Sequence, residues 1–261
     1  MATHDLDHIF RHLRTDEKVS VVDVTSGYGV LGLMGPQSRT LLQQLAESDL
    51  AREMFPFGTT QDVMIAGAPV RVLRISFVGE LGYELHVPTE YLLTVYDALH
   101  GMGVEHGLVN AGYRAIDSLR LEKQFCAWGA EVGQDNSLME AGLGFAVDFN
   151  KTDFVGRGAM YAQRSVPLKK KLATFTISNN QPLLGGETIY RDGEVAGWIT
   201  SGGFAHTFDR PVGLGHVRRE QGVDNEYLLN GKYELDVAGT RFPAEISIRA
   251  LYDPAGERMR S

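Results

Sequence analysis

The stretch of sequence that decides the fold runs from residue 74 to residue 85 and reads Arg74-Ile75-Ser76-Phe77-Val78-Gly79-Glu80-Leu81-Gly82-Tyr83-Glu84-Leu85. A strand-like alternation leads into a turn with glycines at 79 and 82, and a second strand pattern follows. The pattern predicts a β-hairpin, in which the glycines permit a tight turn and the close approach of a flat ligand. Glu84 lies between Tyr83 and Leu85, where an unpaired carboxylate would be costly. Its partner is expected to be either a donor within the protein or a bound ligand, and the local pattern leaves both open.

Helix and strand patterns alternate on both sides of this hairpin as far as about residue 165. Helical spacing is predicted for residues 5–14, 37–45, 90–100 and 113–125. Strand patterns cover residues 19–24, 30–34, 63–65 and 70–77. Ser137 and Glu140 have the spacing of a capping box. This first part of the chain is therefore expected to be an α+β domain, assigned to residues 1–166.

The pattern changes at Pro167. After it, short strands separated by glycine turns are predicted at residues 172–177, 188–191, 194–201, 212–217, 233–237 and 240–248. Regular short strands of this kind are typical of a small β-barrel or sandwich. The second domain is assigned to residues 167–261, and the lysines at 169–171 are interpreted as a solvated connector rather than an anion-binding patch.

Composition excludes several classes of protein. The chain has 261 residues, a net charge of −8 and an isoelectric point near 5.5, which argue against a nucleic-acid binder and a basic membrane-surface protein. Cys126 is the single cysteine, so neither an internal disulfide nor a cysteine-cluster metal site is expected, and a reducing compartment is favoured. Residues 1–7 have neither signal-peptide nor transit-peptide character, and no apolar run is long enough for a membrane span.

Residues 27–32 match the pattern G-x-G-x-x-G literally. A dinucleotide fingerprint requires a helix that begins at the third glycine of a strand–helix–strand unit. Here a strand-like run follows at residues 30–34, and helix signals begin only at Pro36. A hairpin is therefore favoured over a dinucleotide site.

Three further features have both a functional and a structural interpretation, and the structural one is favoured for each. His4, His8 and His12 would stack on one side of a helix, but a solvated face is favoured over a zinc site, and no metal is predicted. Cys126 lies in an apolar setting that makes a thiol inert. The small-residue loop at 200–207 is interpreted as a barrel corner rather than a site.

Residues 76–84 (SFVGELGYE) resemble the folate-site motif of the glycine-cleavage T-protein, or aminomethyltransferase, superfamily. Within it, residues 107–123 (GLVNAGYRAIDSLRLEK) are most similar to sarcosine and dimethylglycine dehydrogenases. Residues 137–146 (SLMEAGLGFA), 193–203 (GEVAGWITSGG) and 252–260 (YDPAGERMR) fit the same comparison in order. The resemblance implies a folate-binding domain of ferredoxin-like α/β subdomains, present in part, followed by a small C-terminal antiparallel β-barrel.

The resemblance also implies five residues that bind tetrahydrofolate. Glu84 matches the glutamate whose carboxylate accepts the N–H and amino group along one edge of the pterin. Arg114 matches an arginine that contacts folate. Phe77 stands where relatives carry tyrosine, and Phe145 stands where many carry tryptophan. Each phenylalanine keeps an aromatic ring but lacks the polar group of the residue it replaces. Tyr83 belongs to the same motif, with a place in the core as an equal alternative.

The function implied is that of an aminomethyltransferase-like component of one-carbon metabolism. In the family, oxidation of an N-methyl amine such as sarcosine or dimethylglycine yields a carbon that tetrahydrofolate captures as 5,10-methylenetetrahydrofolate. FAD belongs to a dehydrogenase part that this chain lacks, so it is expected only on another domain or partner subunit. The iron–sulfur-assembly branch is disfavoured because residues 151–157 contain no cysteine.

The aspartate motif assigned as catalytic in the family has no match in residues 1–18, so no catalytic residue is nominated and enzymatic activity is left open. Two alternatives follow: a non-catalytic folate-binding or protein-binding regulatory module, and a fragment of a longer flavoprotein. The expected compartment is the cytoplasm, or the mitochondrial matrix in a eukaryote.

Overall fold

A computed structural model describes residues 2–261, so Met1, the first residue of the expected first domain, lies outside the description. The helices are α1 (Ala2–His12), α2 (Ser38–Gln43), α3 (Leu92–Gly103), α4 (Tyr113–Glu122), α5 (Arg157–Arg164), α6 (Asn225–Leu229) and α7 (Glu257–Arg260). The strands are β1 (Tyr28–Met34), β2 (Thr60–Ile65), β3 (Ala68–Leu73), β4 (Gly82–Pro88), β5 (Lys170–Ile177), β6 (Thr188–Arg191), β7 (Glu194–Ala205), β8 (Arg210–Arg218), β9 (Tyr233–Val237) and β10 (Thr240–Ser247).

The first sheet is antiparallel and has the strand order β1-β4-β3-β2. Because side chains alternate along a strand, Tyr83, Leu85 and Val87 of β4 share one face and are fully buried. That face packs in one core with residues of α2 and α3, such as Leu42 and Val95. The other face of β4 carries Glu84 and His86, which are only partly buried.

The second sheet closes into an antiparallel barrel with the strand order β10-β5-β8-β7-β6-β9. Its interior holds a separate core, in which the rings of Phe175 and Tyr233 meet edge to face with centroids 5.5 Å apart. The two parts meet at α4, where Leu121 packs with barrel residues such as Leu172 and Leu214. The predicted α+β fold with a C-terminal β-barrel is therefore confirmed.

A strand prediction and a hairpin prediction in the first part are wrong. Residues 19–24 have no regular structure, and the apolar side chains of Val19, Val22 and Val24 are exposed because no strand lies beside them. The glycines at 27–32 consequently do not form a hairpin, since Gly29 and Gly32 lie within the single strand β1 and pair with β4.

The stretch at 74–85 does form the turn of a hairpin, but the first strand ends at Leu73 and residues 74–81 are a loop. Arg74 is fully buried, and its guanidinium donates to the carbonyls of Phe55 and Ser261. A buried side chain with several donors needs such acceptors, which explains why residues 74–77 leave the sheet.

The structure also explains the two glycines of the loop. Gly79 has φ +83°, a left-handed conformation that favours glycine, and an added Cβ would lie 2.9 Å from Cδ of Lys123. Gly82 leaves room for Met34, whose sulfur would lie 2.1 Å from an added Cβ. Both glycines therefore serve packing within the protein.

None of the helices within residues 2–261 is long and apolar enough to cross a bilayer.

Candidate functional site

A cavity of about 780 Å³ lies between β1, the loop after β3, α3 and the segment that leads into α4. Its volume is in the range of sites that hold small molecules. Its wall is mainly apolar and aromatic, and Glu84 is the single carboxylate among the side chains that line it. A flat ligand with hydrogen-bond donors along one edge is the chemistry that such a wall suits.

Glu84 reaches this cavity because of its register in the sheet. It lies opposite Gly32 of β1 and Leu73 of β3, and the glycine leaves the space above the carboxylate open. The side chain is 34% exposed, and its nearest basic group is Nε2 of His86, at 3.8 Å from Oε2. Within residues 2–261 no donor lies within hydrogen-bond distance of this carboxylate, so it is free to accept from a ligand.

Phe77 stands at the same cavity, 37% exposed. Its ring stacks on that of Phe125, with an interplanar angle of 16° and centroids 6.1 Å apart. One face of Phe77 is thus supported by protein, which fixes the orientation of the ring.

The helix α3 supplies a wall that the sequence analysis did not identify. Tyr96 and His100 line the cavity one turn apart, and the Tyr96 hydroxyl accepts a hydrogen bond of 2.7 Å from Nδ2 of Asn110. Tyr113, 77% exposed, closes the side next to α4. The spacing i, i+4 of Tyr96 and His100 was visible in the sequence, but nothing local showed that this face meets the sheet.

The other three predicted folate residues lie outside the cavity wall. Arg114 is exposed on the first turn of α4, beside Tyr113. Phe145 is 87% exposed. Tyr83 points to the opposite face of β4, where its buried ring lies 5.9 Å from that of Phe55 and its hydroxyl accepts a bond of 3.3 Å from Nε of Arg39. The structure brings Glu84 and Phe77 together and leaves these three apart.

The loop that carries Phe77 is held in place by the end of α4 and by residues 252–253. The buried stem of Lys123 packs against Gly79, and its ammonium donates to the carboxylate of Asp253 at 2.8 Å. The Tyr252 hydroxyl donates to the Glu80 carboxylate. Burial, and then this hydrogen bond, raises the pKa of Tyr252 to about 12. These contacts fix the loop at the cavity edge.

Among the described residues, the cysteine thiol and the potential metal ligands show no sign of a second reactive site. Burial, and then the charge of Glu131, raises the pKa of the Cys126 thiol to about 11, so the thiol is protonated near neutral pH. No group of three or more histidine, cysteine, aspartate or glutamate side chains in the described part of the chain is arranged to hold a metal ion.

Comparison with known proteins explains this architecture. A family model described as the GCVT N-terminal domain matches residues 1–151, and one described as the glycine cleavage T-protein C-terminal barrel domain matches residues 170–253. The chain belongs to the glycine cleavage T-protein family.

Two relatives and one solved structure are similar to this chain. Mouse mitochondrial sarcosine dehydrogenase is 39% identical over the whole of this chain, which spans 29% of that relative. The mouse mitochondrial pyruvate dehydrogenase phosphatase regulatory subunit is 34% identical over 91% of the chain, again across 29% of the relative. The aminomethyltransferase T structure from Bartonella henselae superposes with a TM-score of 0.71 at 24% identity, covering 86% of this chain and 60% of that one, and shares the fold. The resemblance found in the sequence is thereby confirmed, and the chain spans less than a third of the two relatives.

Proposed function

We propose that this T-protein family chain binds tetrahydrofolate in the cavity beside β1, with Glu84 as the anchor of the pterin. The observation that carries the proposal is a carboxylate without a protein donor on the wall of a mainly apolar and aromatic cavity. A carboxylate that accepts two parallel N–H bonds from a planar ligand makes one of the stronger and more specific contacts available to a protein.

The remaining predicted residues take supporting roles in this proposal. Phe77, backed by Phe125, offers a ring face to the flat part of the ligand. Arg114 is exposed next to Tyr113, outside the cavity wall, and we assign it to the anionic tail of folate. Tyr83 packs in the core behind Glu84. Phe145 is exposed outside the cavity wall, and we keep it as a candidate aromatic contact to the ligand.

The reaction we infer is the capture of a one-carbon unit by an aminomethyltransferase-like component. Bound tetrahydrofolate would supply the amines that take up a carbon at the oxidation level of formaldehyde, giving 5,10-methylenetetrahydrofolate. The side chains of this chain orient the ligand and exclude water from it. The similarity to sarcosine dehydrogenase supports an FAD-dependent dehydrogenase of sarcosine or dimethylglycine, on another domain or a partner subunit, as the source of that carbon. We place this protein in the cytoplasm, or in the mitochondrial matrix in a eukaryote.

A second candidate is a non-catalytic module that binds folate or a protein partner. The similarity to a phosphatase regulatory subunit favours it, as does the lack of an assigned general acid or base. The enzyme component and a folate-binding module both require the folate cavity, whereas a module that binds only a protein does not. Folate binding and carbon transfer are therefore tested separately.

Binding is tested by anaerobic titration calorimetry with tetrahydrofolate. Glu84→Gln should weaken binding by about 2 kcal/mol, or about thirtyfold in Kd, because a charged acceptor is lost. Glu226→Gln removes the same charge on the exposed first turn of α6 and should leave Kd unchanged. Equal Kd values for wild type and Glu84→Gln would contradict the assignment of the site.

Carbon transfer is tested by adding the chain and tetrahydrofolate to a working sarcosine dehydrogenase reaction. More 5,10-methylenetetrahydrofolate than in a reaction without the chain supports the enzyme component. Binding with no such increase favours the regulatory module.

A further inference from the structure

A second cavity, of about 450 Å³, lies between residues 128–136 and the strands β7 and β8. It shares no lining residue with the cavity of Glu84. The proposed folate function makes no use of it.

The wall of this cavity formed by residues 128–136 is fixed by one buried carboxylate. Glu131 is fully buried, and it accepts hydrogen bonds from Nη1 of Arg120 at 3.0 Å, from the amide of Ala127 at 2.9 Å and from the hydroxyl of Thr200 at 2.6 Å. Thr200 itself lines the cavity. A buried carboxylate with three donors holds residues 128–136 in one conformation, so the cavity is preformed in the absence of a ligand.

Both tryptophans of the chain line this cavity. Trp128 is 63% exposed, and Trp198 is 44% exposed with the guanidinium of Arg218 lying 3.8 Å from its ring centre. Large exposed indoles around a concavity are typical of binding sites, because they supply contact area at a low cost in side-chain entropy.

The polar groups of the cavity include one that lacks a partner. His216 is 3% exposed, and its Nε2 is buried with no hydrogen bond from or to the protein. Burial, and then the charge of Lys170, lowers the pKa of His216 to about 4, so the imidazole is neutral near pH 7. Arg218 forms no ion pair with another residue of the described chain, whereas Asp135 is exposed on the cavity rim.

We propose that this cavity is a second binding site, for a small aromatic carboxylate. The ring of the ligand stacks on Trp128, and its carboxylate meets the guanidinium of Arg218, which is held in place by Trp198. The neutral imidazole of His216 offers a further donor or acceptor without adding charge. Asp135 repels a second negative charge at the rim, so a monocarboxylate is preferred to a dicarboxylate.

The test uses the whole chain labelled with 5-fluorotryptophan, which gives one fluorine resonance for each tryptophan and therefore reports on this cavity and not on that of Glu84. Titration with phenylacetate should shift both resonances with a Kd below about 1 mM, since an aromatic stack and one charged hydrogen bond together are worth several kcal/mol. Phenylacetamide, which lacks the charge, and cyclohexylacetate, which lacks the aromatic ring, should each bind at least about tenfold more weakly.

Arg218→Met should weaken phenylacetate binding by about tenfold or more. The matched control is Arg241→Met, which removes a guanidinium stacked on Tyr190 elsewhere on the barrel and should change nothing. The proposal is overturned if phenylacetate gives no saturable shift up to about 10 mM, since binding weaker than this is nonspecific in strength. It is equally overturned if phenylacetamide binds as well as phenylacetate, a comparison that needs only the wild-type protein.

Discussion

Glu84 and Tyr83 are adjacent in the sequence and have opposite environments in the fold. Strand alternation places Glu84 on the cavity face and Tyr83 in the core, and this much could be predicted from the sequence once a strand was assigned to β4. The alternation could not say which face would be covered. That depends on α3 and on the segment after it, whose approach is set by tertiary packing.

The two aromatic residues of the motif are therefore expected to differ in a binding assay. Phe77→Ala should weaken tetrahydrofolate binding by about 1 kcal/mol or more, since an aromatic wall of the cavity is lost. Tyr83→Phe should leave Kd unchanged and lower the unfolding free energy by about 1 kcal/mol, because only a hydrogen bond to Arg39 disappears. Calorimetry and urea unfolding measure the two quantities. Weaker binding by Tyr83→Phe at unchanged stability would assign Tyr83 to the ligand.

At the scale of elements, the loop at 74–81 depends on residues far away in the sequence. Lys123 at the end of α4 and Asp253 before α7 form a buried ion pair beneath Gly79, with side chains 4% and 11% exposed. Removal of one partner from a buried pair leaves an uncompensated charge.

Lys123→Met should consequently lower the unfolding free energy by about 3 kcal/mol, measured by urea denaturation. Lys169→Met removes a lysine from a largely exposed pair with Glu220, and should have a much smaller effect on the unfolding free energy because solvent screens exposed charges. Equal losses in the two variants would mean that the buried pair does not brace the loop.

The stabilisation by the ion pair of Lys123 and Asp253 depends on pH. Burial would raise the pKa of the Asp253 carboxyl, but hydrogen bonds from Lys123 and from the amides of Glu257 and Arg258 outweigh burial and hold the pKa below its usual value. The stabilisation is therefore present above the unfolded pKa of about 3.9 and is lost as the pH falls through the lower folded value.

The difference in unfolding free energy between wild type and Asp253→Asn should accordingly be largest near neutral pH and shrink below about pH 4. Urea unfolding at a series of pH values measures it. A difference that is the same near neutral pH and at about pH 3, below the unfolded pKa, would contradict the role assigned to this carboxylate.

The predictions from sequence that the structure contradicts also concern whole elements. The barrel strands were predicted well, because regular short strands between glycine turns are a local signal, as at Thr188–Arg191 and Tyr233–Val237. Residues 19–24 carry the same kind of local signal but find no neighbouring strand, and a strand needs a partner for its backbone hydrogen bonds. The strand predicted through residue 77 ends early because the side chain of Arg74 is drawn into the interior.

At the scale of the whole molecule, the two parts are joined by more than a linker. We propose the boundary at residues 166 and 167, between α5 and β5. Across it, Leu121 packs into a small core with barrel residues, and Glu131 accepts from both Arg120 and Thr200. The barrel thus supports α4, whose first turns border the cavity of Glu84.

Only part of the candidate site could be predicted from the sequence. Resemblance to a family supplied Glu84 and Phe77, which the cavity brings together. Tyr96 and His100 were missed because they lie in a helix without a motif, and Asn110 was missed although it lies within residues 107–123, which carry the resemblance. The second cavity, with both tryptophans, was also missed, since Trp128 and Trp198 come together only when residues 128–136 fold over the barrel.

The central claim is that the Glu84 carboxylate accepts hydrogen bonds from the amino edge of the pterin. A double-mutant cycle tests it most directly, with wild type and Glu84→Gln each titrated calorimetrically with tetrahydrofolate and with its analogue that lacks the 2-amino group. The expected coupling free energy is about 1 to 3 kcal/mol, because the carboxylate and the amino group act only together. A coupling free energy of zero, with both changes weakening binding independently or not at all, would contradict it.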